Sequence, residues 1–422
     1  MSCREKETGA ATEVKSGTSD TLSSSRVNTQ PVLVVGGGIG GLATALALAR
    51  KGRAVRVFEL GAEFKEIGAG IQLGPNVYRM FEILGLTEAI ERYSVHPDFL
   101  IMKDALTGDE VTRIPVGGAD FRRRFGGYLY GVIHRGDLHT VLLEACRSEP
   151  AIQLRENSKG MRFEDSGDRV LLHLENGERV EGCALVGADG LWSKVRAQLF
   201  GEAKPRVSGH IAYRAVLPRA EVPGDLWQNN VVLWAGPKTH LVHYPLRRGA
   251  LYNLVAVFHS DKYEEGWDVF GDPAELEAKF ANERPEVQRL LAKINAWKMW
   301  VLCDREPIRE WSRGRVTLLG DAAHPTLQYM AQGANMAIED GVVLAACAEL
   351  SGWDFEKAFR WYQDERYLRT ARVQITSRYY GDVYHAAGVV RELRNQMLRE
   401  RPADPNFSGL AWLYDGIKVP SS

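Results

Sequence analysis

Residues 31–59 read PVLVVGGGIGGLATALALARKGRAVRVFE, and this stretch decides the fold. Val32 to Val35 are apolar and rich in β-branched side chains, the composition of a strand buried on both faces. Gly36, Gly38 and Gly41 follow in the spacing G-x-G-x-x-G. The first permits a tight turn, the second lets backbone approach a pyrophosphate, and the third lets the next helix pack close to the sheet. That helix, LATALALARKG, directs its N-terminal N–H groups and the positive end of its dipole at the turn, where negative charge is favoured. A second strand, AVRVFE, ends in Glu59, about twenty residues beyond the glycines. A carboxylate there accepts hydrogen bonds from a ribose and repels a 2′-phosphate. The spacing therefore predicts FAD or NAD rather than NADP.

Outside this stretch, composition narrows the class. A chain of 422 residues, 45% of them hydrophobic, can bury a large core and suits two or three domains. Fifty-three basic against fifty-four acidic side chains leave a formal charge of −1, which gives no net field for nucleic acid and favours small-molecule chemistry. Five cysteines (Cys3, Cys146, Cys183, Cys303, Cys347) lie far apart with no C-x-x-C pair, as expected of reduced thiols in a cytoplasmic protein without a zinc site. No apolar run approaches the roughly eighteen residues of a transmembrane segment. Residues 1–30 are rich in Ser, Thr and Gly, with Glu5, Glu7, Glu13 and Asp20 interspersed, and read as a disordered tail rather than a secretory signal or transit peptide.

The choice between FAD and NAD rests on three further segments. In RVTLLGDAAHP, residues 315–325, a buried strand runs into Gly320 and Asp321, and the helix GANMAIEDGVVLAACAEL follows. An NAD-only domain gives no reason for this loop, whereas a flavin does: its ribityl hydroxyls suit a carboxylate, and a nearby helix N-terminus stabilises charge on the reduced ring. In ALVGADGLWSKVR, residues 184–196, a strand opens into Asp189 and Gly190, and Asp189 equally suits a helix cap. The preceding DRVLLHLENGERVEG reads as a hairpin with Asn176-Gly177 at its turn. In HRGDLHTVLLEAC, apolar positions 138, 141, 142 and 145 predict a helix starting near Asp137, with Arg135 just before it.

In this order and spacing the four segments resemble the single-component flavoprotein aromatic hydroxylases, the p-hydroxybenzoate hydroxylase-like group, from about residue 31 to beyond 400. GDAAHP carries the resemblance more specifically than the glycines do, and EIGAGIQLGPN (66–76), THLVHYPLRRG (239–249) and DREPIREW (304–311) support it. The resemblance implies an α/β fold: a Rossmann-like FAD-binding domain of the GR2 type, an inserted, mainly β substrate domain and a C-terminal helical region. The implied order is a tail at 1–30, the FAD-binding domain at 31–203 and 305–348, the substrate domain at 204–304 and the helical region at 349–422. It further implies an enzyme with FAD as cofactor and NADH as co-substrate, which reacts reduced flavin with O2 to a C4a-hydroperoxide and transfers oxygen to a phenolic acid. Within the group the chain looks most like members that convert 3-hydroxybenzoate to 2,5-dihydroxybenzoate. Salicylate 1-hydroxylation and hydroxylation of a heteroaromatic acid are the alternatives within the group, and a non-catalytic, redox-responsive FAD module is the alternative outside it. A homodimer is left open.

Several side chains take roles from this resemblance. On a strand of period two, His240, Val242 and Tyr244 share one face while Leu241 and His243 share the other, so the two histidines cannot jointly grip a metal or substrate. His240 matches the group's base that removes the phenolic proton, and imidazole titrates near working pH. Gln328 matches the amide that orients the hydroxyl, and Tyr244 has two readings, contact with the aromatic ring or plain core. Arg135, Asp189 and Asp321 are assigned to the ribityl and phosphate region, the pyrophosphate side and the ribityl hydroxyls of FAD. Arg214 of AYRAV has two readings, attraction of a carboxylate or pairing with an acid, and the partner of the substrate carboxylate is left unassigned.

Overall fold

The computed structural model describes residues 30–64, 69–201, 203–261, 269–294, 296–402, 404 and 406–421. The expected N-terminal tail, residues 1–29, and Cys3 within it lie outside this range. A six-stranded sheet carries the nucleotide motif. Its strands run Ser312–Arg313, Val316–Leu318, Ala184–Gly187, Val32–Val35, Val55–Phe58 and Ile152–Arg155 from edge to edge. All neighbours are parallel except the first pair. Val32 to Val35 are all buried, which explains their unbroken apolar run. Chain order reverses on either side of this strand, and open α/β sheets bind their ligands at the carboxyl end of such a switch point.

The helices that bear on the site include α1 (Ile39–Arg50), α2 (Arg135–Arg147), α3 (Lys194–Phe200), α4 (Gly333–Leu350), α5 (Phe355–Tyr384) and α6 (Gly388–Arg399). Helix α1 is buried along Leu42 to Ala49, because α4 covers the side the sheet does not. A Cβ on Gly341 of α4 would lie 2.9 Å from the Thr44 backbone, so the two helices touch main chain to main chain. Asp354 caps α5 by accepting from Lys357 N at 3.2 Å.

The second large sheet has eight strands, in the order Val269–Phe270, Lys298–Asp304, Arg206–Pro218, Leu251–His259, Thr239–Leu246, Val231–Gly236, Phe99–Asp104 and Glu110–Pro115. The last two come from sequence well before residue 204, so a chain boundary at 203 does not separate the two sheets. Phe99–Asp104 pairs in parallel with Val231–Gly236, a partner more than a hundred residues away that no local pattern announces. One face of this sheet packs Leu241, Phe258 and Tyr213 against the helices Pro273–Phe280 and Pro285–Leu291. The other carries Val242 and Val257 against Leu327, Tyr329 and Tyr384, toward the loop after Leu318 and the end of α5. The hairpin expected around Asn176-Gly177 pairs Val170–Leu174 with Arg179–Gly182, and Gly177 takes φ +86°.

Candidate active site

The glycine loop is shaped for close approach. Gly36 has φ +109°, and a Cβ there would lie 2.3 Å from the Ala188 carbonyl oxygen; one on Gly41 would lie 2.0 Å from the Gly36 oxygen. Only glycine fits at either place. Gly38 is the N-cap of α1, with no side-chain cap and no acid in the first turn, so the helix N-terminus remains open to an anion. Glu59 stands beside it: Gly37 N donates to Oε2 and Gly61 N to Oε1, each at 2.8 Å. Each oxygen keeps lone-pair capacity for a ribose hydroxyl. Bare backbone donors beside a fixed carboxylate fit the diphosphate and ribose of FAD.

Three further candidates border this loop. Asp189 lies next to it, since a Gly36 Cβ would also come within 3.1 Å of Asp189 N. Its carboxylate accepts from Ser193 Oγ, from Lys194 N at 2.8 Å and from Val195 N at 3.2 Å, so it shares the capping of α3 with the N-cap Ser193, whose Oγ accepts from Arg196 N at 2.8 Å. Asp321 is exposed on the 3-10 turn Gly320–Ala322. That turn is pinned from beneath, where Gly320 N donates to Asp340 Oδ2 at 3.1 Å and His324 Nε2 meets the same oxygen at 2.7 Å. Arg135 opens α2 two residues earlier than the apolar period predicts, because His134 serves as N-cap and its Nδ1 accepts from Gly136 N at 3.2 Å.

Arg214 ties the substrate side together. Its Nη2 donates to Gln328 Oε1, its guanidinium sits 5.2 Å from the centroid of the Trp300 ring, and among the described residues no carboxylate pairs with it. Its Nε is buried without a hydrogen-bond partner. Burial, eased by Tyr244 and reinforced by Arg135, brings its pKa down to about 10, which still leaves it charged at neutral pH. An open cleft of about 510 Å³ reaches it, with Ala69, Trp300 and Lys293 also in the walls. Glu221 also lines the cleft, but among the described residues it does not pair with Arg214, and a buried cation without a paired carboxylate favours an anion beside it. With Gln328 Oε1 engaged, its Nε2 makes no hydrogen bond among the described residues and keeps its donor capacity beside Arg214. Tyr244 is buried, burial raises its pKa, and a Cβ on Gly70 would lie 2.4 Å from its ring.

The two strand histidines separate as the alternation predicts. His243 Nε2 accepts from Trp234 Nε1 at 3.0 Å and its Nδ1 meets Tyr252 Oη at 2.8 Å, a fully satisfied core histidine. His240 uses Nδ1 on His385 Nε2 at 2.7 Å, while its own Nε2 makes no hydrogen bond among the described residues. Its ring lies 5.6 Å from Tyr329, the neighbour of Gln328, and 5.7 Å from Tyr384. Burial and then His210 push its pKa down to about 3. The structure thus gathers Gly36, Gly38, Gly41, Glu59 and Asp189 at one end of the nucleotide sheet. Arg135, Tyr244 and Gln328 are grouped around Arg214, with His240 one residue from Gln328 through Tyr329. Sequence reasoning missed His210, His259 and His385, because only the pairing of distant strands and the end of α5 bring them to His240.

Comparison with known proteins identifies the family. The family described as FAD binding domain matches residues 29–376. The 3-hydroxybenzoate 6-hydroxylase of Polaromonas naphthalenivorans (strain CJ2) is 47% identical over 384 residues, 91% of this chain and 95% of that protein. The 6-hydroxynicotinate 3-monooxygenase of Bordetella bronchiseptica is 38% identical over 354 residues, 82% of this chain and 90% of that protein. Among solved structures, a variant of Klebsiella pneumoniae HpxO complexed with FAD superposes with a TM-score of 0.79 at 26% identity, covering 91% of this chain and 98% of that one.

Proposed function

The chain belongs to the FAD binding domain family, and on that premise we propose that it is a flavoprotein monooxygenase that uses NADH and O2 to hydroxylate 3-hydroxybenzoate to 2,5-dihydroxybenzoate. Bound FAD supplies the electron transfer from NADH and the activation of O2. The protein holds it through the Gly36–Gly41 turn and the N-terminus of α1 at the diphosphate and Glu59 at the ribose, with Asp189 alongside the turn and Arg135 and Asp321 toward the ribityl chain. The substrate must enter as an anion with its ring made electron-rich. Arg214, which pairs with no carboxylate among the described residues, receives the substrate carboxylate. Tyr244 lies against the ring.

The observation that carries this reading is that His240 Nε2, on the sheet face shared with Tyr244, makes no hydrogen bond among the described residues, while the His240 ring lies 5.6 Å from the ring of Tyr329, the chain neighbour of Gln328. His240 takes the phenolic proton at Nε2, and Gln328 Nε2 donates to the same oxygen once it carries negative charge. A phenolate pushes electron density to the ring carbon that accepts oxygen. A homodimer belongs to this reading, supported by the apolar side chains Val389, Val390, Leu393 and Met397 that α6 leaves exposed. A cytoplasmic location is its remaining part, and no described helix is long and apolar enough to cross a membrane. The test is chromatographic identification of the product from 3-hydroxybenzoate, salicylate and 6-hydroxynicotinate in parallel, with NADH consumption and hydrogen peroxide measured alongside. 2,5-Dihydroxybenzoate from the first acid alone is the expected result. Turnover confined to either of the others overturns the substrate assignment.

A further inference from the structure

Four histidines from three parts of the chain meet beside the candidate site: His210, the paired strands that carry His240 and His259, and His385 at the end of α5. His240 Nδ1 lies 2.7 Å from His385 Nε2, and His385 Nδ1 lies 3.0 Å from His259 Nε2. Three rings are thus joined end to end by two hydrogen bonds, from a buried imidazole to one that is partly exposed. His210 walls the chain in, its ring 4.2 Å from His259 and 4.7 Å from His385, with Nδ1 on Tyr329 Oη. The backbone of one turn residue clamps two of the rings: Lys238 N donates to the His385 carbonyl at 3.0 Å, and His259 N donates to the Lys238 carbonyl at 3.1 Å.

From this geometry we infer that His385 and His259 form a proton relay that carries the phenolic proton from His240 to solvent. The inference rests on the hydroxylase reading above, since it gives His240 its proton. Hydrogen-bond logic allows a chain of neutral imidazoles only two polarities. In one, Nδ1–H of His240 donates to His385 Nε2, Nδ1–H of His385 donates to His259 Nε2, and His259 Nδ1–H faces out. His240 Nε2 is then a bare acceptor. In the other polarity every ring carries its proton on Nε2. The substrate O–H bond breaks as an N–H bond forms at His240 Nε2, each ring passes the proton on its Nδ1 to the next Nε2, and His259 Nδ1 loses one proton to water. One proton enters and one leaves. No ring carries net charge at either end of the process. When the product oxygen is reprotonated, the same chain runs backward and resets.

Burial lowers His240 to about 3 and lowers His385, which favours the neutral form of both rings and suits a relay in which no ring stores an extra proton. The charged and titratable groups around the outer end are Lys238, Lys279 and Asp382 facing His259, with Arg206 facing His210 and the rings of Tyr329 and Tyr384 against His240. The lysines favour release of the proton from His259 and Asp382 opposes it.

His385→Gln decides the matter, because an amide keeps a hydrogen bond to each neighbour but cannot take a proton at one atom and release another. FAD-loaded wild type, His385→Gln and His259→Gln are mixed with 3-hydroxybenzoate while phenolate absorbance and proton release to an indicator dye are followed. Coupling of NADH to product is measured against pH. The relay predicts that both variants bind substrate with unchanged KM but form phenolate and product more slowly at neutral pH, on the order of 10²-fold for His385→Gln. Hydrogen peroxide should replace product. Alkaline pH or added imidazole should restore coupling. Variants as fast and as coupled as wild type, with the same pH profile, overturn the relay. If His385→Gln loses FAD, the substitution at the partly exposed ring, His259→Gln, becomes the deciding variant. Absence of 2,5-dihydroxybenzoate in the wild type strikes instead at the hydroxylase reading.

Discussion

Two histidines three positions apart on one strand, His240 and His243, face opposite environments, and their substitution should separate chemistry from stability. His243→Ala leaves the buried Trp234 N–H without an acceptor, which costs roughly 1–3 kcal/mol. Its denaturant midpoint should fall while product per NADH stays at the wild-type level. His240→Ala removes a ring whose Nε2 bonds nothing in the described structure, so FAD retention and NADH oxidation should persist. Hydroxylation should drop by about 10²-fold or more, with hydrogen peroxide as the main product and partial recovery at alkaline pH, where the phenol ionises in solution. A coupled His240→Ala enzyme at neutral pH ends the case for this base. Sequence reasoning reached this contrast because strand parity alone settles it. The glycine loop and Glu59 were equally legible, as their spacing is local. Arg214 was not: whether an arginine faces an acid or an open cleft depends on Gln328 and Trp300, more than eighty residues downstream.

At the scale of elements, the seam between α4 and α5 is held by buried ions. Arg366 bonds Glu339 at 2.8 Å and Asp340 at 2.7 Å, all three side chains with no exposure, and Arg369 adds a second bond to Glu339 at 2.7 Å. Asp340 also pins the Gly320 turn and His324, so the same cluster positions the loop that bears Asp321. Arg366→Met should cost up to about 3–5 kcal/mol by taking the shared cation from two buried carboxylates, leaving Glu339 only Arg369 and Asp340 only His324 as charged partners, and should weaken FAD retention through the loop. A melting temperature and flavin content equal to wild type would show that the cluster is dispensable. Acid should loosen the molecule in two windows. Burial lowers His240 and His243 to about 3 and His210 to about 4, so the unfolded chain binds more protons as pH falls below 6.5. Each ring then withdraws up to about 1.4 kcal/mol of stability per pH unit until its folded pKa is reached. Asp340, which His324 and Arg366 hold at about 2 against the opposing effect of burial, stabilises the fold above its ordinary 3.8 and loses that contribution as pH falls toward 2. Denaturant midpoints should therefore decline from near-neutral pH downward. A flat profile down to the carboxylate range would mean the histidines are charged in the fold. None of this seam was visible beforehand, because Glu339 and Asp340 sit in a helix whose apolar composition promises only core.

Across the whole molecule, the two large sheets are bound by chain that crosses between them four times. Phe99–Asp104 and Glu110–Pro115 leave the nucleotide half to complete the eight-stranded sheet. Asp104, fully buried, is in turn gripped by Arg391 at 2.8 Å and Asn395 at 2.6 Å from α6, so the C-terminal helices close over the same strand. The segment 204–304 therefore cannot be lifted out as a free-standing insert. A chain in which a short linker replaces it would leave Phe99–Asp104 as an uncovered sheet edge, with Ile101 and Met102, buried in the intact protein, turned to water. It would also lose the sheet face against which Leu327 and Tyr329 of the flavin loop pack. Such a chain should aggregate, retain no FAD and lack a cooperative thermal transition. The intact protein should melt in a way that depends on flavin concentration, gaining about 2.7 kcal/mol when FAD stands 100-fold above its Kd. Calorimetry and flavin release on both chains check this. A shortened chain that keeps FAD and melts cooperatively would mean that the nucleotide half folds alone and that the strands it lends to the second sheet are ornament rather than scaffold.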